Sequence, residues 1–253
     1  MKTKQKIQKT KTTIRSQILS TIESFKNENN LEFDCKQLLD SIIEYTEKQK
    51  VFIDIGSGNF NGLKKYVNDF GIDNSWDVRC YELDESVFFA SYPITNTLPK
   101  FKNFTYENLG VSAQSGFNEA KLVKMVQRSK GSHFETKPFG SSTIANIDHW
   151  GNFHSVKYDT KNVKCIGIHN LLVDVFKDYF NPYIVMKIDV QGDEKKLLNA
   201  LLSSPLYKKI NKIFIKWNPN LYLNQEDYLE DKKHILKQMR INNRNLEIKN
   251  HIL

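Results

Sequence analysis

In the stretch "VFIDIGSGNFNG", residues 51–62, an apolar run contains the acid Asp54 and is followed by two glycines, Gly56 and Gly58. Gly56 and Gly58 let a backbone turn sharply and let a ligand approach it closely. A dinucleotide site would place a third glycine at residue 61, where this chain has Asn61, so a nicotinamide cofactor is disfavoured. Asp54, which precedes the first glycine, suits a ligand with an amino or sulfonium charge better than a pyrophosphate.

A second acid, Glu82, ends the run "VRCYELD". It lies roughly 20 residues beyond the glycines, the spacing at which a carboxylate accepts hydrogen bonds from both ribose hydroxyls. Asp54 near an amino acid group and Glu82 on a ribose together describe S-adenosylmethionine, with Ser57 and its flanking glycines against the methionine part. We also assign Asn108 and Leu109 to this cofactor site. The alternative is that Asp54 caps a turn and Glu82 lies on a solvated loop.

A third polar group ends the run "IVMKIDVQG", where Lys187 and Asp189 would face the methyl acceptor. Lys187 would stabilise a forming alkoxide if burial lowers the pKa of its ammonium group. Asp189 would position the acceptor or take its proton. The alternatives are that Lys187 and Asp189 form a buried structural ion pair, or that Lys187 only extends its ammonium group towards solvent. The weaker candidates for the acceptor side are Asp193, Glu194, His133, His149 and His154.

The elements that position these residues follow from the apolar pattern. From residue 50 onward, short apolar runs alternate with amphipathic segments, which predicts an α/β fold with a mainly parallel sheet and helices on both faces. Gly71 would end the helix after the first strand, and a later helix would be capped by Asn170 or would begin at His169. "KNFTYENLGVS" is predicted as one strand. Ligands of such sheets bind outside the carboxyl ends of the strands, where all three polar groups fall.

The N-terminal segment and the middle of the chain depart from this alternation of strands and helices. Residues 1–49 are predicted as a basic arm and a helical extension, and residues 50–253 as the α/β domain. The arm "MKTKQKIQKTKTTIR" has no acid, so it is either a frayed, solvated segment or an anion-binding one. Between the two halves of the sheet, one or two strands are predicted near 120–127, followed by a long loop of the kind that is often functional.

Composition narrows the class of protein. The chain has 253 residues and a net charge of +8, which a nucleic-acid partner or a general abundance of lysine would explain. No apolar run approaches ~18 residues and no secretory signal is recognisable, so a cytoplasmic protein without a membrane span is expected. Neither HExxH nor CxxC occurs, and no metal site is predicted. Three separated cysteines are expected to be reduced thiols, namely Cys35, Cys80 and Cys165.

Taken in order, these motifs resemble those of the FkbM-like family of class I S-adenosylmethionine-dependent methyltransferases. The resemblance covers about residues 51–217, with "VFIDIGSGNFNG", "VRCYELD", "YENLGVSAQSG", "GSSTI", "VKCIGIHNLL" and "IVMKIDVQGDEKKLLNAL" in the family's order. It implies the Rossmann-like class I methyltransferase fold and O-methylation of a hydroxyl on a sugar or small molecule. The chain departs from the family at Gln191 and Lys216, where the family has acids.

Two alternatives stay open. The net charge and the basic arm would suit an RNA ribose 2'-O-methyltransferase or another RNA-binding methyltransferase, and salt-dependent RNA binding would favour it. The two missing acids would suit a non-catalytic cofactor-binding or scaffold subunit that kept the fold. Cofactor binding without turnover would favour that second alternative. The oligomeric state and the identity of the acceptor do not follow from the sequence.

Overall fold

The computed structural model describes residues 16–27, 34–39, 49–127, 138–142, 156–191, 193–218 and 225–250. The chain divides into two units, Met1–Lys48 and Gln49–Leu253. In the first unit, residues 16–27 and 35–39 are helical. The basic arm, residues 1–15, lies outside the described residues.

The second unit alternates strands and helices. Its strands are β1 (Lys50–Ile55), β2 (Trp76–Tyr81), β3 (Asn103–Glu107), β4 (Gly110–Ser112), β5 (Phe117–Gln127), β6 (Pro138–Ser142), β7 (Val156–Gly167), β8 (Tyr183–Ile188), β9 (Ile210–Ile215) and β10 (Glu247–Asn250). Its α-helices are α1 (Asn61–Phe70), α2 (Glu85–Ser91), α3 (Ile168–Asp178), α4 (Glu194–Ser203) and α5 (Gln225–Asn242), and 3-10 helices cover Tyr92–Thr97 and Pro205–Lys209.

The larger sheet has six strands in the order β10-β9-β8-β1-β2-β3. All of its neighbouring strands are paired in parallel. The predicted α/β class with a mainly parallel sheet is therefore confirmed. The order runs outward in both directions from β1 and β8, so these two strands form the switch point at which a doubly wound sheet binds its ligand.

Helices cover both faces of the larger sheet, as predicted. Residues of β1 alternate between two cores: Val51, Ile53 and Ile55 pack in one with α3, α4 and α5, while Phe52 packs in the other with α1. A strand buried on both faces needs apolar residues at nearly every position, which explains the continuous run "KVFIDI". The polar exception, Asp54, is completely buried on the face of Phe52.

A second sheet was not anticipated. "KNFTYENLGVS" was predicted as one strand, but it forms β3 of the larger sheet and then β4 of a four-stranded sheet ordered β4-β7-β5-β6. The long β5 and β7 pair antiparallel from Phe117 with Ile166 to Gln127 with Val156. One or two strands near 120–127 and a strand in "NVKCIGI" are predicted from the sequence, but not their pairing in a sheet of their own. Long-range pairing of this kind leaves little trace in local sequence, because each strand has a partner some 40 residues away.

Helix ends were predicted with mixed success. Gly71 ends α1 in the left-handed region, with φ 62°, as expected. The prediction that Asn170 caps a helix is wrong, because α3 already begins at Ile168 after Gly167. Asn170 Oδ1 instead accepts a hydrogen bond of 2.6 Å from the Gly116 amide. None of the helices within the described ranges has the length and apolar character that a membrane crossing requires.

Candidate functional site

The glycine turn after β1 is fixed against the end of β2. The amides of Gly56 and Ser57 both donate to the carbonyl of Tyr81, at 3.0 and 3.1 Å. Ser57 Oγ donates to the carbonyl of Asp54 at 3.0 Å. Gly56 and Gly58 have φ values of 76° and 54°, a left-handed backbone that L-residues other than glycine rarely adopt. The predicted turn is therefore rigid and depends on its glycines.

Gly56 and Gly58 have different structural roles. A Cβ atom on Gly56 would lie 2.0 Å from the carbonyl oxygen of Asp189, so this glycine lets the loop after β8 pack on the loop after β1. A Cβ atom on Gly58 would meet nothing within 4 Å. Gly56 thus serves the packing of the protein itself, whereas Gly58 leaves bare backbone beside open space.

Glu82 is a buried carboxylate held by backbone amides. Its Oε2 accepts from the Gly58 amide at 2.8 Å and its Oε1 from the Asp84 amide at 2.9 Å. Burial nevertheless raises the pKa of Glu82 above its ordinary value, against the lowering effect of these two bonds. Asn108 Nδ2 donates to the carbonyl of Glu82 at 2.9 Å and so holds the main chain there. Each carboxylate oxygen keeps a further lone pair, which can accept from a ligand.

Lys187 lies opposite Asp54 in the pairing of β8 with β1. Its Nζ is 2.8 Å from Asp54 Oδ1, and both side chains are buried. The same Nζ donates to the carbonyl of Gly56 at 2.5 Å. Lys187 therefore ties the glycine turn to the centre of the sheet, and its buried ion pair is with Asp54, whereas the alternative had paired it with Asp189.

The condition set for alkoxide stabilisation, a pKa of Lys187 lowered by burial, is not met. Burial by itself acts in that direction, but the charges of Asp54 and Asp189 outweigh it and raise the pKa above the ordinary value for lysine. Lys187 consequently stays protonated at neutral pH. It has the charge that would stabilise an alkoxide, but its ammonium group contacts Asp54 and Gly56.

Asp189 lies at the carboxyl end of β8, where its amide donates to the Ile55 carbonyl at 3.0 Å. Its Oδ2 accepts from Lys216 Nζ at 3.2 Å. Lys216, one of the two departures from the family pattern, therefore neutralises this carboxylate. Gln191, the other departure, has a φ of 51°.

A cavity of about 400 Å³ opens at the carboxyl ends of β1, β2 and β8, within the size range of small-molecule sites. Of the predicted site residues, five line it: Gly56, Gly58, Glu82, Leu109 and Asp189. The other four do not line the cavity: Asp54, Ser57, Asn108 and Lys187. Their hydrogen bonds and ion pair fix the glycine turn and Glu82, which form part of the cavity wall. Gln191, Asp193 and Lys196 complete the side formed by the loop after β8 and by α4.

The second sheet supplies the part of the wall that the sequence did not predict. Val111 of β4, Ala120 of β5 and Cys165 of β7 all line the cavity. Burial raises the pKa of Cys165 to about 11, so it is a thiol and not a thiolate at neutral pH. The alternation of polar and apolar residues in "EAKL", residues 119–122, was the available signal for a half-buried strand of this kind.

Of the candidates not yet placed, Glu194 is the one within the described residues, and it does not line the cavity. Glu194 is fully buried and accepts from Asn218 Nδ2 at 2.5 Å. His133, His149 and His154 lie outside the described residues. Within the described part of the chain, no cluster of three or more histidine, cysteine or acidic residues is placed to hold a metal ion.

Comparisons with protein-family models, with curated proteins and with solved structures found no match to this chain. The geometry of the cavity and the motif resemblance are therefore the two grounds for a functional proposal.

Proposed function

We propose that the protein is an S-adenosylmethionine-dependent methyltransferase that methylates a hydroxyl on a sugar or small-molecule acceptor. The observation that carries this proposal is the meeting of Glu82 and Gly58 in the wall of one cavity at the switch point of the sheet. The resemblance to FkbM-like enzymes supplies the reaction class. Neither ground alone would be sufficient, because many ligands bind at this position of a doubly wound sheet.

The residues present fit this cofactor. Gly58 offers backbone with no atom where a side chain would be, so a ligand can approach it closely. Glu82 holds its carboxylate at the cavity wall by two amides and keeps lone pairs for the two hydroxyls of a ribose. Leu109 would contribute apolar surface. S-adenosylmethionine, when bound, supplies a methyl group already activated by a positively charged sulfur.

The work left to the protein is alignment and the handling of one proton. Asp189 is the predicted catalytic carboxylate that lines the cavity, so we assign to it the positioning of the acceptor hydroxyl. Lys187 acts through the turn that it holds: its bond to the Gly56 carbonyl fixes the backbone against which the cofactor would lie. Lys187 is thus a positioning residue in this proposal. Of the two residues predicted to act on the acceptor, only Asp189 is given a direct catalytic role.

Titration calorimetry with S-adenosylmethionine and S-adenosylhomocysteine tests the cofactor. The wild-type protein should bind both, and Glu82→Gln should weaken binding by about ten- to a hundredfold, the range for hydrogen bonds to a charged group. Glu107→Gln is the matched control, since Glu107 is exposed at the end of the neighbouring strand β3. Equal affinities of wild type and Glu82→Gln would remove the cofactor assignment.

A second candidate function is cofactor binding without methyl transfer. The contact that favours it is the 3.2 Å ion pair between Lys216 and Asp189, because it cancels the negative charge of the carboxylate assigned to the acceptor. A transfer assay with a tritiated methyl donor against pooled glycans, RNA and lysate small molecules separates the candidates. Incorporation into glycans or small molecules supports the first proposal, incorporation into RNA supports the RNA alternative, and binding without incorporation supports the second candidate.

A further inference from the structure

The charges of helix α5 are separated along its length. Its acids all lie in the first two turns: Glu226, Asp227, Glu230 and Asp231. From Lys232 to Leu246 the chain has lysines and arginines but no acid. The helix macrodipole favours cations within the last turn, which accounts for Arg240 but not for the lysines before it. The lysines of this half are therefore not explained by helix stability alone.

The packing of α5 turns its cations outward. Tyr228, Ile235 and Met239 are buried and fix the inner face of the helix. With 3.6 residues per turn, exposed cations fall on the opposite face of α5, and one more follows just beyond its end. We call these four residues the basic stripe: Lys233, Lys237, Arg240 and Arg244.

Two hydrogen bonds place further cations beside the end of the basic stripe. The hydroxyl of Tyr207 donates to the Met239 carbonyl at 2.7 Å, and Asn243 Nδ2 donates to the Ile210 carbonyl at 2.9 Å. Both bonds are buried, and they hold the 3-10 helix Pro205–Lys209 against the last turn of α5. This contact adds two exposed residues, Lys208 and Lys209.

No acid within the described part of the chain forms an ion pair with these six cations. The acids closest to them in sequence pair with other lysines, since Asp231 contacts Lys195 and Glu247 contacts both Lys212 and Lys249. The surface formed by the basic stripe and the two lysines of the 3-10 helix is therefore strongly positive at neutral pH. A partner that fits it is a surface with many negative charges.

Ile241 distinguishes between two such partners. It is 58% exposed and lies four residues after Lys237 and three before Arg244, so it is a neighbour of the basic stripe on the helix surface. A single exposed isoleucine is ordinary, but one among cations matches helices that lie on membranes, where apolar side chains enter the bilayer beside anionic headgroups. A single-stranded nucleic acid would instead use exposed aromatic rings for stacking. The ring beside this surface, Tyr207, is buried.

We propose that the basic stripe, together with Lys208, Lys209 and Ile241, docks the protein on an anionic lipid surface. Each lysine or arginine near such a surface strengthens the attraction about fivefold. α5 leads from β9 to the start of its parallel neighbour β10, so the basic stripe runs towards the amino ends of these strands, whereas the cavity opens at the carboxyl ends of β1, β2 and β8. A docked molecule would therefore keep its cavity open to ligands. The inference goes beyond the proposed function, because it does not depend on which ligand binds there.

Sedimentation of the full chain with lipid vesicles tests the proposal. The protein should bind vesicles of phosphatidylcholine with phosphatidylserine at least about tenfold more tightly than vesicles of phosphatidylcholine alone. Combining Lys237→Gln with Arg240→Gln should weaken binding to the anionic vesicles at least about tenfold. The matched control combines Lys65→Gln with Lys177→Gln, which removes the same charge from exposed lysines of α1 and α3 and should change this binding less than about threefold. The basic arm is present in every variant, so it does not contribute to these differences.

A further variant separates lipid from nucleic acid. Ile241→Ser should weaken vesicle binding at least about threefold, because no isoleucine enters the bilayer, and should leave the affinity for single-stranded RNA unchanged. Unchanged vesicle binding in the double variant or in Ile241→Ser overturns the inference, and so does RNA binding that depends on the basic stripe while vesicle binding does not. Failure of the wild-type protein to bind S-adenosylhomocysteine would instead refute the proposed function and leave this inference standing.

Discussion

The carboxylates around the switch point have different kinds of partner. At the β1–β2 side, Glu82 is held by two backbone amides, which carry no net charge. Between β1 and β8, Asp54 is paired with Lys187, and between the ends of β8 and β9, Asp189 is paired with Lys216. Glu82 therefore keeps its negative charge for a ligand, while the two aspartates have theirs cancelled inside the protein. Acidic residues at neighbouring strand ends thus differ in whether a lysine of the protein balances their charge.

The two lysine pairs also differ from each other. Lys187 and Asp54 are both almost completely inaccessible, with 3% and 0% of their side chains exposed. Lys216 is 31% exposed, so water screens its attraction to Asp189. The buried pair should be far more costly to break than the half-exposed one. Mutations that break each of the two lysine–aspartate pairs test this ranking.

The largest effect is expected for Lys187→Met, which should lower the free energy of unfolding by about 3–5 kcal/mol because it leaves Asp54 buried without a counterion. Urea denaturation measures the loss. Combining it with Asp54→Asn removes the stranded charge and should restore about half of the loss. A single mutant as stable as wild type would show that the pair contributes nothing, and Lys187 would return as a candidate for the acceptor side.

The two glycines of the turn provide the next contrast. Gly56→Ala should destabilise the fold by about 2–4 kcal/mol, because the left-handed backbone is strained and the new Cβ meets the Asp189 carbonyl. Gly58→Ala should cost only the backbone strain, about 1–2 kcal/mol, since its surroundings are open. It should nevertheless weaken S-adenosylhomocysteine binding at least about tenfold by filling the ligand's space. Thermal unfolding and calorimetry separate these outcomes, and equal destabilisation by both mutations would contradict the assigned roles.

The pKa of Glu82 predicts a pH dependence of cofactor affinity. Burial raises this pKa above the ordinary 4.5, so the carboxylate begins to take up a proton at a higher pH than an exposed glutamate does. Ribose hydroxyls need the ionised form as a double acceptor. Affinity for S-adenosylhomocysteine should therefore be constant well above this pKa and fall about tenfold per pH unit below it. Calorimetry across pH should show a midpoint above 4.5 in wild type and no such step in Glu82→Gln.

Local signals in the sequence were sufficient for the larger sheet and for one side of the site. Continuous apolar runs such as "KVFIDI" identify strands buried on both faces, and Gly56, Gly58 and Glu82 follow directly at their ends. The parallel order then brings these strand ends to one edge of the sheet. The glycine turn follows β1 and Glu82 follows β2, and these two strands pair in parallel. Their positions in the sequence were therefore enough to predict that the turn and the carboxylate lie side by side.

The other features of the site depend on contacts that cannot be inferred from the spacing of residues in the sequence. A lysine and an aspartate at strand ends have the same appearance in sequence whether they face a ligand or each other. The register of β1 with β8 decided the matter by placing Asp54 opposite Lys187. The second sheet was missed for a related reason, since β5 and β7 gain their stability from pairing across a long separation in sequence. Asp193 enters the cavity only through the fold of both sheets around it.

The smallest effect is expected for Lys216→Met, which breaks the pair with Asp189. Its exposure makes the pair worth less than about 1 kcal/mol, so urea denaturation should place this mutant within that margin of wild type. Cofactor affinity should change little as well, because Lys216 does not line the cavity. Lys212→Met, which breaks the pair of Lys212 in β9 with Glu247 in the neighbouring strand β10, is the matched control for a change of charge. A loss as large as that of Lys187→Met would mean that both aspartates are structural, and the carboxylate assigned to the acceptor would have to be sought elsewhere in the cavity wall.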